Sequence, residues 1–286
     1  MPSPKLGFDP SKPKSSDSVR RTMQPKLIST YADISRRTLC LFMDETGHDE
    51  FKSGQRFFAI GGIAGFGPQV KHGVRLWREM KAKHFGGADT PLNSSGTMSG
   101  PQIKAVGEFF ARSKLPRFVF IIKRPPIFPS SVNVLKLLHP LMVDELARMI
   151  GDLTTVPSNV LICLEHTELL TPKIIEAMPA ISLEIHDTEV PVVGIFIHKG
   201  ASEPLLEMAD HLTWHAQRQH KDQTPGKELV PEFVAMFPSG APYAIYRELR
   251  LGKMSGGAEP RWQLSFSDDE PVIARPHWRA RKSAGA

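Results

Sequence analysis

At 286 residues and 41% hydrophobic content the chain can bury a full core, and 36 Lys and Arg against 30 Asp and Glu give a formal charge of +6 that suits a polyanionic partner. Its two cysteines, Cys40 and Cys163, lack C-x-x-C spacing, which excludes a disulfide framework and a cysteine-built zinc site and predicts buried free thiols. No apolar run approaches the roughly 18 residues of a membrane span, and the N-terminus has no apolar signal core, so a cytoplasmic protein with no membrane partner is expected.

Residues 1–36 carry Lys5, Lys12, Lys14, Arg20, Arg21 and Lys26 without sustained periodicity and read as a disordered basic arm. "TLCLFMD" (38–44) predicts a first strand. "RFFAIGGIAG" (56–65) predicts a second, with Gly61 and Gly62 marking a bulge or a close backbone approach. The spacing of Val70, Val74, Trp77 and Met80 predicts a helix, followed by a loop over "GGADTPLNSSGTMSG" and a short helix that Pro101 opens. "RFVFIIK" (117–123) predicts a third strand, stopped by Pro125 and Pro126.

Residues 131–153 have the pattern of a long amphipathic helix, with a kink expected at Pro140. "NVLICLE" (159–165) is a fourth strand, "ELLTPKIIEAM" (168–178) a helix, and "VPVVGIFIH" (190–198) a fifth strand. A last helix follows over 202–220, with Ser202 as its N-cap. From 221 to 286 Pro and Gly become dense, and the segment reads as an extension ending in a basic tail with Arg275, Arg279, Arg281 and Lys282. The expected fold is therefore one α/β domain over 37–220, a mixed five-stranded sheet flanked by helices. The basic ends are either arms for nucleic acid or solvating tails.

Carboxylates stand where the elements end. Asp44 and Glu45 close the first strand, Glu165 the fourth, and Glu203, Glu207 and Asp210 share one face of the last helix. Each has a structural reading as a turn residue, a cap or a solvated row. Together, acids at strand ends facing one helix suit Mg²⁺ or Mn²⁺, because hard cations take oxygen ligands. Asp144 or Glu145 on the long helix could add a further acid. Lys123 and Lys199, at strand ends, are candidates for phosphate contact in nucleic-acid binding, although solvated lysines are the commoner case. His211 and His215 have the helical spacing of a zinc pair but lack an H-E-x-x-H glutamate between them.

"FMDETG", then "FFAIGGIAG", then "SEPLLEMADHL" resemble a bacterial domain-of-unknown-function family with a D-E-S-G first-strand motif, a glycine-rich second strand and L-Q-x-A-D on its last helix. The resemblance spans about residues 38–220 and implies a ribonuclease H-like fold. It also implies that Asp44 and Asp210 are metal ligands and catalytic acids, with Glu165 or Glu45 as the third acid. Two divalent ions would then activate water against a phosphodiester. Strand alternation favours Asp44 over Glu45. Two positions depart from the pattern: Thr46 stands for the motif's serine, and Glu207 for its glutamine, where it becomes an extra ligand, a base or a sign of drift from catalysis. The expected function is a metal-dependent nuclease acting on DNA or RNA. The rival is a non-catalytic module of the same fold that binds nucleic acid or protein. Homodimerisation stays open.

Overall fold

A computed structural model describes residues 35–47, 57–94, 96, 98–123, 134–151, 156–166, 182–185, 188–198, 203–221, 230–241, 243–254 and 261–266. Strand β1 (Thr38–Thr46) lies inside the sheet. Leu39, Leu41 and Met43 enter one core layer, and Cys40 and Phe42 enter the other. A strand buried on both faces needs apolar residues at every position, which is why "LCLFM" shows no polar alternation.

β1 pairs antiparallel with β2 (Phe57–Phe66), and β2 pairs antiparallel with β3 (Arg117–Lys123). On its other side β1 pairs parallel with β4 (Asn159–His166), which pairs parallel with β6 (Thr188–His198). β5 (Ser182–Ile185) joins β6 as an antiparallel neighbour. The other margin carries β7 (Ala244–Met254), parallel to β3, and β8 (Arg261–Phe266), antiparallel to β7. The order is β5-β6-β4-β1-β2-β3-β7-β8.

Among the described residues the sheet has eight strands where five are expected. Two of the additional strands come from the segment after residue 221. "AIYRELRLGKM" does not read as a buried strand because Arg247 and Glu248 interrupt it. Both are buried, and both are paired. Arg247 Nη2 meets Glu145 Oε2 at 2.5 Å on one face, and Lys123 Nζ meets Glu248 Oε2 at 2.7 Å on the other. Tyr246 donates its hydroxyl to Glu248 Oε1 at 2.9 Å. A charge enters an interior when partners neutralise it, and hydropathy cannot see partners.

Helices α1 (Gly67–His84), α2 (Gly100–Ser113), α4 (Pro204–Lys221) and α5 (Pro231–Met236) share a core with the sheet face that bears Cys40 and Phe42. Helix α3 (Val134–Gly151) packs its Leu135, Leu138, Met142 and Leu146 into the opposite layer. It runs through Pro140 as a single helix. The helix expected around 168–178 lies outside the described residues, as do the arms at 1–34 and 267–286. Among the described residues no helix is long and apolar enough to cross a membrane.

The paired glycines of β2 mark a close approach. A Cβ on Gly62 would stand 2.0 Å from the Phe42 carbonyl oxygen of β1. One on Gly61 would stand 2.7 Å from Val119 Cγ2 and 3.0 Å from Thr213 Cγ2 of α4. Glycine at 61 therefore lets α4 lie low over the sheet beside Asp44, its partner across the ladder.

Candidate active site

Strands β1, β3, β4, β6 and β7 all run in one direction, so their carboxyl ends share one edge of the sheet. Asp44 stands at that edge on the face of Cys40 and Phe42, the face that α4 covers. The β1–β4 register pairs Phe42 with Cys163 and Met43 with Leu164, so Glu165 comes next to Asp44 and shares its face. The chain leaves β1 through Gly47, whose φ of 87° suits glycine, and a Cβ there would meet Phe57 O at 2.8 Å. The glycine of the D-E-x-G motif therefore turns the backbone away and leaves Asp44 at the rim.

Electrostatics bring three elements together at this point. Burial, then the negative charges of Glu45 and Asp210, and then that of Glu165 hold the Asp44 carboxyl well above the usual carboxylate range. A hydrogen bond from the Glu45 N–H acts the other way. Burial also raises Asp210, against two hydrogen bonds from Ser94. Asp44, Glu165 and Asp210 thus stand at one end of the sheet, carried there by β1, β4 and α4, near enough for the charges of the other two to act on Asp44. Alternation turns Glu45 toward the α3 face while its charge still reaches Asp44.

The donor set suits a hard divalent cation, because all three groups are carboxylates and Asp44 carries a repulsion that positive charge would relieve. As the side chains stand, no group of three or more His, Cys, Asp or Glu among the described residues is arranged as a metal cage.

Glu207 has another task. Its Oε2 accepts hydrogen bonds from Trp77 Nε1 at 2.9 Å and Lys81 Nζ at 2.8 Å, and its Oε1 accepts one from the Leu92 N–H at 3.3 Å. The Lys81–Glu207 pair is buried, with side-chain exposures of 1% and 8%. Removing one partner of such a pair strands the other charge. Lys81→Met is therefore expected to cost roughly 3–5 kcal/mol in urea unfolding. A loss below about 1 kcal/mol, the scale of an exposed pair, would rule out the buried ion pair. The signal for Lys81 was present in the sequence, since it extends the stripe Val70, Val74, Trp77 by one more turn.

The remaining candidates scatter. Lys123 lies on the same face and edge as Asp44, two strands across and four residues farther along, roughly 16 Å away. Glu145 pairs with Arg247 in the opposite layer. Lys199, Ser202 and the Asp144 side chain lie outside the described residues. The cap of α4 is Glu203, whose Oε1 accepts from the Leu205 N–H at 3.2 Å while its carbonyl accepts from the Glu207 N–H at 2.9 Å. Cys40 and Cys163 are free and buried, and burial pushes the Cys40 thiol up to about 12, so it is inert at neutral pH. His215 Nδ1 donates to the His211 carbonyl at 2.8 Å within α4.

Sequence reasoning missed Ser94. Its N–H donates to Asp210 Oδ2 at 2.8 Å and its hydroxyl to Oδ1 at 2.5 Å. A serine inside "LNSSGT" carries no signal that sets it apart from a linker residue. No family model matches the chain, and no match is found among curated proteins.

Proposed function

We propose that the protein is a divalent-metal-dependent nuclease of ribonuclease H-like fold, acting on the phosphodiester backbone of DNA or RNA. The observation that carries this reading is the convergence of Asp44, Glu165 and Asp210, in which the charges acting on Asp44 are acidic ones. The strand order supports it. The resemblance to the D-E-S-G family implies three antiparallel strands followed by alternating helices and strands, and β1 to β3 followed by α3 and β4 are in keeping with that order.

On this reading Asp44, Glu165 and Asp210 hold Mg²⁺ or Mn²⁺. Bound there, the cations would make water nucleophilic at neutral pH and neutralise charge on the leaving oxygen. The chain's own part is placement. Asp44 and Glu165 are fixed by adjacent parallel strands, and Asp210 is carried over them by a helix that Gly61 allows to approach. Lys123, some 16 Å along the same edge, is at a distance from which it could meet a flanking phosphate, with its charge shared by Glu248. Glu207 serves as an anchor between helices rather than as a ligand.

The rival reading, a binding module without catalysis, makes a different prediction. Calorimetry with Mn²⁺ on the wild type, Asp44→Asn and Asp210→Asn is expected to give saturable binding that both variants lose, with cleavage of DNA or RNA substrates lost alongside. Equal weak binding by all three proteins, with nucleic acid still retained in a gel shift, would establish the binding module instead.

A further inference from the structure

Past α1 the chain is held, between residues 90 and 94, by side chains of both α1 and α4. Lys81 Nζ donates to the Thr90 carbonyl at 2.9 Å, and the Leu92 N–H donates to Glu207 Oε1 at 3.3 Å. Glu207 is itself held by Trp77 and Lys81 of α1. A turn follows, closed by the Gly96 N–H on the Asn93 carbonyl at 3.0 Å. Ser94, nearly buried, sits within that turn and meets both oxygens of Asp210.

We propose that Ser94 is a positioning residue: presented by a loop anchored on Lys81 and Glu207, it sets the plane of the Asp210 carboxylate toward Asp44 and Glu165. The inference rests on the reading of those three acids as a cation site. A carboxylate on a helix rotates about its side-chain bonds unless both oxygens are engaged. Here each oxygen accepts one bond from the same residue, which defines the plane and leaves the second lone pair of each oxygen for a ligand. Of the four acceptor sites, Ser94 takes two. Loss of a group that holds a ligating carboxylate in this way typically costs about tenfold to a hundredfold in metal affinity. The same geometry explains why Glu207, one turn before Asp210 on the acidic face, is an acid here: it accepts three donors from α1 and the loop that Ser94 depends on.

The test uses the full chain and two readouts. Mn²⁺ titration is expected to show affinity falling by about tenfold to a hundredfold in Ser94→Ala, in a protein that circular dichroism shows still folded at the assay temperature, and largely recovered in Ser94→Thr, which keeps the hydroxyl. Amide exchange of the loop, measured without added metal, is expected to speed up at Ser94 in Asp210→Ala. Wild-type Mn²⁺ binding that Ser94→Ala leaves intact overturns the positioning role. Equal exchange at Ser94 in wild type and Asp210→Ala overturns the contact itself, whether or not Mn²⁺ binds. A protected Ser94 amide in a wild-type protein that takes up no Mn²⁺ overturns the cation reading, and the positioning role with it, but leaves the contact standing.

Discussion

Asp44→Asn is expected to do two opposite things: to raise the melting temperature and to abolish cleavage. Burial and three acidic neighbours disfavour the ionised carboxylate in the folded protein. The amide removes that charge at nearly constant volume. Relief of a functional site of this kind typically adds about 0.5–2 kcal/mol, a rise of several degrees for a domain of this size. The same substitution removes a ligand whose cation would supply several kcal/mol of transition-state stabilisation, so the expected loss of rate is roughly a thousandfold or more. Thermal melts and nuclease assays on the same preparation decide it. A structural Asp44 would give lower stability, because its loss would leave groups unpaired. An Asp44→Asn variant that melts lower and cleaves normally would sink the assignment.

Acid is expected to destabilise the fold through α4. Burial, with Lys81 nearby, lowers the His211 imidazole to about 4. Burial lowers His215 to about 3, with the charges of His211 and Arg218 adding to it and its bond to the His211 carbonyl opposing. His211 is fully buried against Trp77 of α1, and His215 lies against Trp214. The sign follows from proton counting. Below about pH 6.5 the unfolded chain protonates both rings while the folded protein keeps them neutral, so stability falls as pH falls. Each ring contributes about 1.4 kcal/mol per pH unit until its folded value is reached, or about 5 kcal/mol for the pair between pH 6.5 and 4.5. Asp44 and Asp210, raised in the folded state, act in the opposite direction: the fold binds their protons first and gains stability as pH falls. Urea midpoints at pH 6.5 and pH 4.5 are expected to differ strongly in the wild type and much less in a His211→Leu, His215→Leu double variant. Identical pH slopes in the two proteins would mean that the histidines are hydrated or paired.

Much of the central fold can be read from the sequence because it obeys one rule at a time. β1, β3 and β4 are apolar runs bounded by breakers, and α1, α2 and α4 show helical spacing, so pattern and structure agree to within a few residues. The position of Asp44 is legible because the apolar run of β1 ends on it, although an acid there also has a structural reading as a turn residue. β7 escapes because its interior charges Arg247 and Glu248 depend on Glu145 and Lys123, more than a hundred residues earlier in the chain. Glu207 misleads for a related reason. It shares the acidic face with Asp210 on a helical wheel, yet its partners Trp77 and Lys81 belong to α1 and decide its role. Ser94 is silent because its function comes from where a loop is pinned, not from its local context.

The late placement of β7 has a consequence for how the chain is made. Synthesis proceeds from the N-terminus, so β1 to β6 and their helices emerge before residues 244–254. Until then β3 has no neighbour on its outer side, and Glu145 and Lys123 lack the partners that Arg247 and Glu248 will bring. A nascent chain held at that length exposes a strand edge of "RFVFIIK", an invitation to pair with another copy. Addition of β7 closes that edge and brings Arg247 to Glu145 and Glu248 to Lys123 in a single step, so the sheet matures by capture of its last parallel strand, and the interval before that capture is the window in which a chaperone would be of use.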